Sequence, residues 1–275
     1  MKSIEICRRP TDHREVTHVT LPFTLSLYMT MEEKISRYEA IRKEYQEKIC
    51  HRMSKEQYEE YSEILFSTHS CAIEGNSFTV DDTRALKELG LGMIPHGRKL
   101  LECMEMADHL RAYEYVMQNL DHPLDEAFLK HINFLLTEHT ISYHVPDAVA
   151  GEYADNNFQL SIVNFQLYER ACQSDVHPMI VASRFHGYYE YLHPFRDGKG
   201  RTGRMLSNYI LMRKGHPQLV IYLEERQQYI AALKQTRTEG TDEHLTHFFL
   251  DIAIRHMEED LRQKQQNTKP RMFVF

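Results

Sequence analysis

From residue 30 onward, apolar residues recur at steps of three and four, the spacing that places them on one face of a helix. Ile35, Tyr38, Ile41, Tyr45 and Ile49 form the first such stripe. Thr30 and Glu33 ahead of it make a capping box, in which a hydroxyl and a carboxylate each take up a free backbone N–H. A second helix is expected over residues 57–73, stopping at Gly75-Asn76, residues that suit a helix end. Residues 81–91, 98–120 and 124–138 read as further helices. Between 151 and 167 the pattern changes. The stretch GEYADNNFQLSIVNFQLYER is rich in Phe, Ile, Val and Tyr, with Asn and Gln interspersed, and predicts a short hairpin. Helices resume at His177, where Val181, Phe185, Tyr188 and Leu192 form a stripe predicted to be buried. Leu206, Tyr209 and Ile210 continue a helix to Gly215-His216-Pro217, and the last strong helix covers about 241–263. There is no internal repeat and no low-complexity linker, so the expected fold is mostly α with one β-hairpin. The first thirty residues read as irregular or extended.

Composition narrows the class without naming a function. At 275 residues, with 42% hydrophobic and 27% charged residues, the chain can bury a self-supporting core and is neither disordered nor membrane-like in composition. No apolar run approaches the ~20 residues of a membrane span, and the polar N-terminus lacks a signal-peptide stretch. A cytoplasmic protein that does not engage the membrane is the expectation. Five widely spaced cysteines without a C-x-x-C pair do not form a disulfide or zinc framework. A net charge of −7 argues against nucleic acid as a partner.

Against that acidic balance, one stretch stands out: HPFRDGKGRTGR, His193 to Arg204. It lies in a turn between two expected helices, and its later part opens the second one. A helix N-terminus carries unpaired N–H groups and a partial positive charge, which together attract phosphate. Gly198 and Gly200 allow close backbone approach to an anion. Arg201 and Arg204, three apart, can hold a polyphosphate with fork-shaped donors. Asp197 is a hard oxygen ligand suited to Mg²⁺, and His193 can accept a proton near neutral pH. These parts suit phosphoryl or nucleotidyl transfer. Gly198, Gly200 and Gly203 also match a dinucleotide-binding G-x-G-x-x-G, but the helix in front of them is the wrong context for that motif.

The stretch resembles the Fic (fido) family motif, H-x-F-x-[DE]-G-N-[GK]-R-x-x-R, at His193, Phe195, Asp197, Gly198, Gly200, Arg201 and Arg204. The resemblance extends over about residues 67–251 and implies a Fic-type helical bundle with a short β-hairpin flap. It also implies transfer of AMP from ATP to a Ser, Thr or Tyr hydroxyl of a target protein. In that reading His193 is the general base, Asp197 the Mg²⁺ ligand and Phe195 a core anchor. The ATP phosphates are held by Asp197, Gly198, Lys199, Gly200, Arg201, Thr202, Gly203 and Arg204. The hairpin around Leu160, Ser161, Ile162 and Val163 would be the flap that aligns the target peptide by strand addition. Tyr229 matches a tyrosine near the base in relatives and is a candidate adenine contact. Lys199 stands where the family carries Asn, which leaves removal of AMP, other phosphate or nucleotide transfer, and non-catalytic ATP binding open as alternatives. Dimers are common in the family, so a homodimer is among the expected partners.

A second motif precedes the core. In STHSCAIEGNSFT (Ser67 to Thr79), Ser70 and Glu74 are four apart on a helix that closes at Gly75-Asn76, and so face the same way. The helix dipole disfavours a carboxylate near a C-terminus, so Glu74 is easier to explain if it meets a cation. The resemblance supplies one. The pattern [ST]-x-x-x-E-[GN] is the family's inhibitory helix, here Ser70, Glu74 and Gly75, and it implies that Glu74 pairs with Arg204 and keeps the γ-phosphate from seating. The expected organisation is residues 1–119 as an N-terminal segment carrying the inhibitory motif, 120–256 as the catalytic core, and 257–275 as a C-terminal helix end and tail.

Overall fold

The computed structural model describes residues 29–92, 94–154 and 165–265. The first helix, α1 (Met31–Lys48), opens at the expected capping box: Thr30 Oγ1 accepts from the Glu33 N–H, and the Glu33 carboxylate accepts from the Thr30 N–H. Tyr38, Tyr45 and Ile49 are buried, while Ile35 and Ile41 pack against the same core. Next come α2 (Lys55–Ile73), α3 (Val80–Leu89), α4 (Leu100–Gln118) and α5 (Glu126–Thr137), near the predicted bounds. Ser54, Thr79 and Asp125 cap α2, α3 and α5 through side-chain oxygens. The short α6 (Ile141–His144) adds one turn.

The predicted hairpin is corrected at its end. Residues 155–164 lie outside the described residues, but from Phe165 the chain is helical, as α7 (Phe165–Gln173). Phe165, Tyr168 and Cys172 step by three and four onto the core; aromatic composition suggested a strand where helical spacing holds. Among the described residues the β structure is one antiparallel bridge, between Tyr153 and Phe195.

Two helices then carry the site: α8 (Pro178–Leu192) and α9 (Lys199–Arg213). On α8, Val181 and Phe185 are buried as predicted, but Tyr189 rather than Tyr188 completes the stripe, and Leu192 is half-buried. The helix packs against both α9 and the last helix, α11 (Glu243–Gln265), so its buried arc is wider than one stripe. Helix α9 is enclosed on all sides, with every residue from Arg201 to Leu211 buried. After it come α10 (Arg226–Glu239) and α11. Lys34–Asp251 at 2.7 Å and Arg37–Glu258 at 2.6 Å fasten α1 along α11. No described helix is long and apolar enough to cross a membrane.

One side-chain cluster lies away from the motif. Glu39 accepts from Arg42 Nη2 at 2.6 Å and from His177 Nε2 at 3.1 Å. The Met179 N–H donates to His177 Nδ1, and the Tyr38 phenol pairs with His216 Nδ1 at 2.9 Å. Glu39, His177 and His216 offer ligand atoms within 4.8 Å of one another, and the network ties α1 to the start of α8.

Candidate active site

Local backbone geometry builds the motif turn. Helix α8 ends at His193, whose left-handed conformation (φ 49°) makes it the one non-glycine residue with positive φ among those described. That conformation costs about 1–2 kcal/mol and turns the chain sharply out of the helix. Phe195 then anchors the turn: it is 2% exposed, and its ring lies 5.3 Å from that of Tyr153. The Ala154 N–H donates to the Pro194 carbonyl at 2.8 Å, so the chain entering the predicted flap is tied to the motif. The flap residues Leu160, Ser161, Ile162 and Val163 lie outside the described residues.

Helix α9 starts without a side-chain cap. Its first hydrogen bond inside the helix runs from the Thr202 N–H to the Gly198 carbonyl at 2.8 Å. The N–H groups of Lys199, Gly200 and Arg201 therefore lack acceptors within the helix and are available to an anion. Gly198 makes this turn possible. Its φ is +70°, and a Cβ there would sit 2.6 Å from Thr137 Cγ2. Asn133, on α5, holds the turn from below: its Nδ2 donates to the Asp197 carbonyl at 3.0 Å and to Thr202 Oγ1 at 3.1 Å, and its Oδ1 accepts from the Gly151 N–H.

The charged residues divide into two groups. Asp197 Oδ1 accepts from the Gly198 N–H at 2.7 Å and lies 3.7 Å from Arg201 Nη2, while its Oδ2 is buried without a partner. Arg201 is 4% exposed, and its Nε is also buried and unpaired. Arg204, equally buried, is fully engaged. Its Nε donates to Ser70 Oγ at 3.1 Å, and its Nη2 donates to the Ser70 carbonyl at 2.8 Å and to Glu74 Oε1 at 2.9 Å. Burial alone would raise the Glu74 carboxyl pKa, but Arg204, Arg201 and Arg226 together hold it below the usual carboxylate range. Glu74 itself caps α2, and Gly75 follows it at φ 106°. A Cβ at Gly200 would run into the Glu74 carboxylate.

His193 is half-exposed, with Nδ1 3.9 Å from Glu190 Oε2. Burial, then the Lys199 ammonium and Arg237, lower its pKa, so the ring is neutral and able to accept a proton at neutral pH. Tyr229 is placed elsewhere than at an open surface. It is 3% exposed, and its phenol shares a 2.6 Å hydrogen bond with buried His186 beneath Arg204.

Sequence reasoning missed two residues of this site. Asn133 is a polar residue at a core position of an otherwise apolar helix face, a signal that was there to be read. Glu190 is a charged residue one turn before His193, and no local pattern marks it out.

Such a helical bundle, with a bare helix N-terminus, a histidine, an aspartate and two buried arginines on one turn, has the makings of an anion site. Residues 123–211 match the Fic/DOC family model. That stretch, which contains the whole motif turn, is what this chain shares with the Fic family. It is 32% identical over 189 residues to protein adenylyltransferase Fic of Nematostella vectensis, covering 61% of this chain and 42% of that protein. To the Drosophila melanogaster protein of the same name it is 28% identical over 199 residues, covering 67% of this chain and 39% of the other. The chain thus spans less than half the length of these relatives. Its fold matches a Fic domain containing signaling protein from Bacteroides thetaiotaomicron, with a TM-score of 0.67 at 20% identity, over 86% of this chain and 97% of that one. It also matches C. elegans Fic-1, with a TM-score of 0.66 at 21% identity, over 87% and 72%.

Proposed function

We propose that this protein transfers AMP from ATP to a Ser, Thr or Tyr hydroxyl of a target protein, and that Glu74 holds the activity off. The relatives that share its sequence are named protein adenylyltransferases, which supports the reaction. The single observation that carries the brake is Arg204. A phosphate-binding arginine, 4% exposed, has its outward donor taken by a carboxylate 130 residues away in sequence.

The neutral His193 ring takes the proton as the target hydroxyl oxygen attacks the α-phosphorus. The bond from that phosphorus to the bridging oxygen breaks, and pyrophosphate leaves with the electron pair. The bare N–H groups of Lys199, Gly200 and Arg201 offset the charge that develops on the phosphate oxygens. Arg201 contacts the outer phosphates, as the family resemblance implies. Asp197 Oδ2, buried without a partner, fits a hard cation: Mg²⁺ held there supplies charge neutralisation to the phosphates when bound. The helices through α4 serve as the regulatory part, and residues 120–256 as the catalytic core.

Lys199 favours a second reading. Its ammonium acts on both His193 and Glu190 and adds a charge where an amide would orient the α-phosphate. On this reading phosphate transfer or ATP binding alone replaces AMP transfer. The test is labelling of protein by α-labelled ATP with Mg²⁺, comparing wild type, Glu74→Gly, Glu74→Gly/His193→Ala and Glu74→Gly/Lys199→Asn. Labelling by Glu74→Gly that disappears with His193→Ala supports the proposal. Labelling only after Lys199→Asn, or only from γ-labelled ATP, moves the assignment to the second reading.

A further inference from the structure

Far from the motif turn, three metal-ligating side chains from separate parts of the chain converge. Glu39 comes from the middle of α1, His177 is the residue that caps α8, and His216 follows the end of α9. Glu39 Oε1 lies 3.1 Å from His177 Nε2 and 3.9 Å from His216 Nε2. One donor atom from each of the three falls within 4.8 Å of the others. Zinc bonds of about 2.0–2.1 Å set tetrahedral ligand atoms about 3.3 Å apart, so shifts of about 1 Å close this cluster on an ion.

The surroundings hold these groups as a ligand set requires. The buried Tyr38 phenol pairs with His216 Nδ1 at 2.9 Å. With Nδ1–H donating to that oxygen, His216 Nε2 turns a lone pair toward Glu39. The Tyr38 ring also stacks on His216 and meets His177 edge-on, and the two imidazoles stand at 88° to each other. Arg42 Nη2 donates to Glu39 Oε2 at 2.6 Å, and Arg42 Nε lies 3.2 Å from both carboxylate oxygens. Outer partners of this kind fix the ring tautomer and the carboxylate orientation at metal sites. The side chains of His177 and His216 are 14% and 6% exposed, and that of Glu39 is 28% exposed, so an ion can enter along the carboxylate.

We propose that Glu39, His177 and His216 bind one divalent transition-metal ion, Zn²⁺ by the chemistry of the donors, and that it clamps α1 to the ends of α8 and α9 remote from the motif turn. Two imidazoles and a carboxylate suit Zn²⁺, whereas Mg²⁺ and Ca²⁺ take oxygen ligands and Cu(I) takes thiolates or thioethers. Water completes the coordination, as in zinc sites with three protein ligands. Binding moves the His177 proton from Nε2, where it bonds Glu39, to Nδ1, and gives up the 3.3 Å contact from the Met179 N–H. The Arg42 charge opposes the ion, so the site is weaker than a structural zinc site with four protein ligands. Helix α8 leads to His193 and α9 begins at Lys199, so the clamp braces both motif helices from their far ends.

The test is titration of the metal-free full chain with Co²⁺, whose visible absorption reports its coordination, followed by competition with Zn²⁺. Wild type should take up one Co²⁺ with visible bands that Zn²⁺ removes. Zn²⁺ at about a hundredfold its Kd should raise Tm by about 5 °C or more. Tyr38→Phe keeps all three ligands and loses only the phenol, which should weaken Co²⁺ binding about tenfold to a hundredfold; Glu39→Gln and His216→Gln each remove a ligand and should weaken it further. Asp197→Ala should leave the bands unchanged, which separates this site from the motif turn. Wild type without visible bands at millimolar Co²⁺ overturns the proposal, and that result needs no variant. Unaltered affinity in both ligand variants also overturns it, because the ion then sits elsewhere. Should either ligand variant misfold by circular dichroism, Tyr38→Phe decides in its place, and unchanged affinity there overturns the proposal.

Discussion

Replacing Glu74 with alanine should weaken the free protein and strengthen its hold on nucleotide by the same free energy. The backbone at Glu74 is right-handed (φ −87°), so alanine introduces no strain and the change is confined to the carboxylate. What is lost is the 2.9 Å hydrogen bond from Arg204 Nη2. Hydrogen bonds between charged groups contribute about 1.5–3 kcal/mol. The Glu74 side chain is 46% exposed. Solvent screening therefore puts the bond at the low end, about 1.5 kcal/mol. Arg204 keeps Ser70 at 3.1 and 2.8 Å, so its guanidinium is not left bare. A loss of this size should lower Tm by about 3–6 °C in a chain of this length. A phosphate that must displace Glu74 to reach Arg204 is spared the same cost, about a tenfold lower Kd. Calorimetry of the free protein reads the first effect, and titration with ATP and Mg²⁺ reads the second. A lowered Tm with an unchanged Kd would refute the competition and leave Glu74 as a mere fastening of α2. An unchanged Tm would refute the energetics of the pair.

Three further outcomes are expected. Gly198→Ala should lose about 2–5 kcal/mol in denaturant melts, from left-handed strain plus crowding against Thr137. Gly215→Ala, with similar φ (+67°) but open space around it, should lose only the strain. Asn133→Leu should cost about 1–3 kcal/mol, because Thr202 and the Asp197 carbonyl lose their donor, and should weaken ATP binding with it. Burial, and after it the Arg42 charge, push His216 down to about 4 despite Glu39. A histidine with a depressed folded pKa contributes stability that is complete above its unfolded value near 6.5 and drains as pH falls toward 4. The loss over that window should be about 3 kcal/mol, and His216→Gln should flatten it.

Much of the architecture was legible in the chain because it is locally encoded. The Thr30–Glu33 box, the end of α2 at Gly75 and the run of α9 to Gly215 each rest on a few adjacent residues whose backbone preferences act without help from the rest of the fold. The site motif was legible for the same reason: its histidine, aspartate, glycines and arginines share one turn. Where two readings of the local pattern competed, tertiary packing decided. The predicted hairpin ran to residue 167, but Phe165, Tyr168 and Cys172 at helical spacing meet the core as part of α7. On α8, Tyr188 and Tyr189 suit the periodicity almost equally, and enclosure by both α9 and α11 selects Tyr189.

The Glu74–Arg204 pair was expected from the family resemblance, but how deeply each group of the site is buried was not. A helical tyrosine at 229 could as well have faced a nucleotide; its place under Arg204 follows from how α10 lies against α8. The Glu190 carboxyl is raised by burial and then tuned by Arg204 and Lys199 on α9 and Glu74 at the end of α2. Sequence determined which groups the site contains, because the backbone of one turn brings them together. Their charge states, and which of them are held back, were decided only by the tertiary structure, because desolvation and electrostatics act through space across helices that the chain order keeps apart.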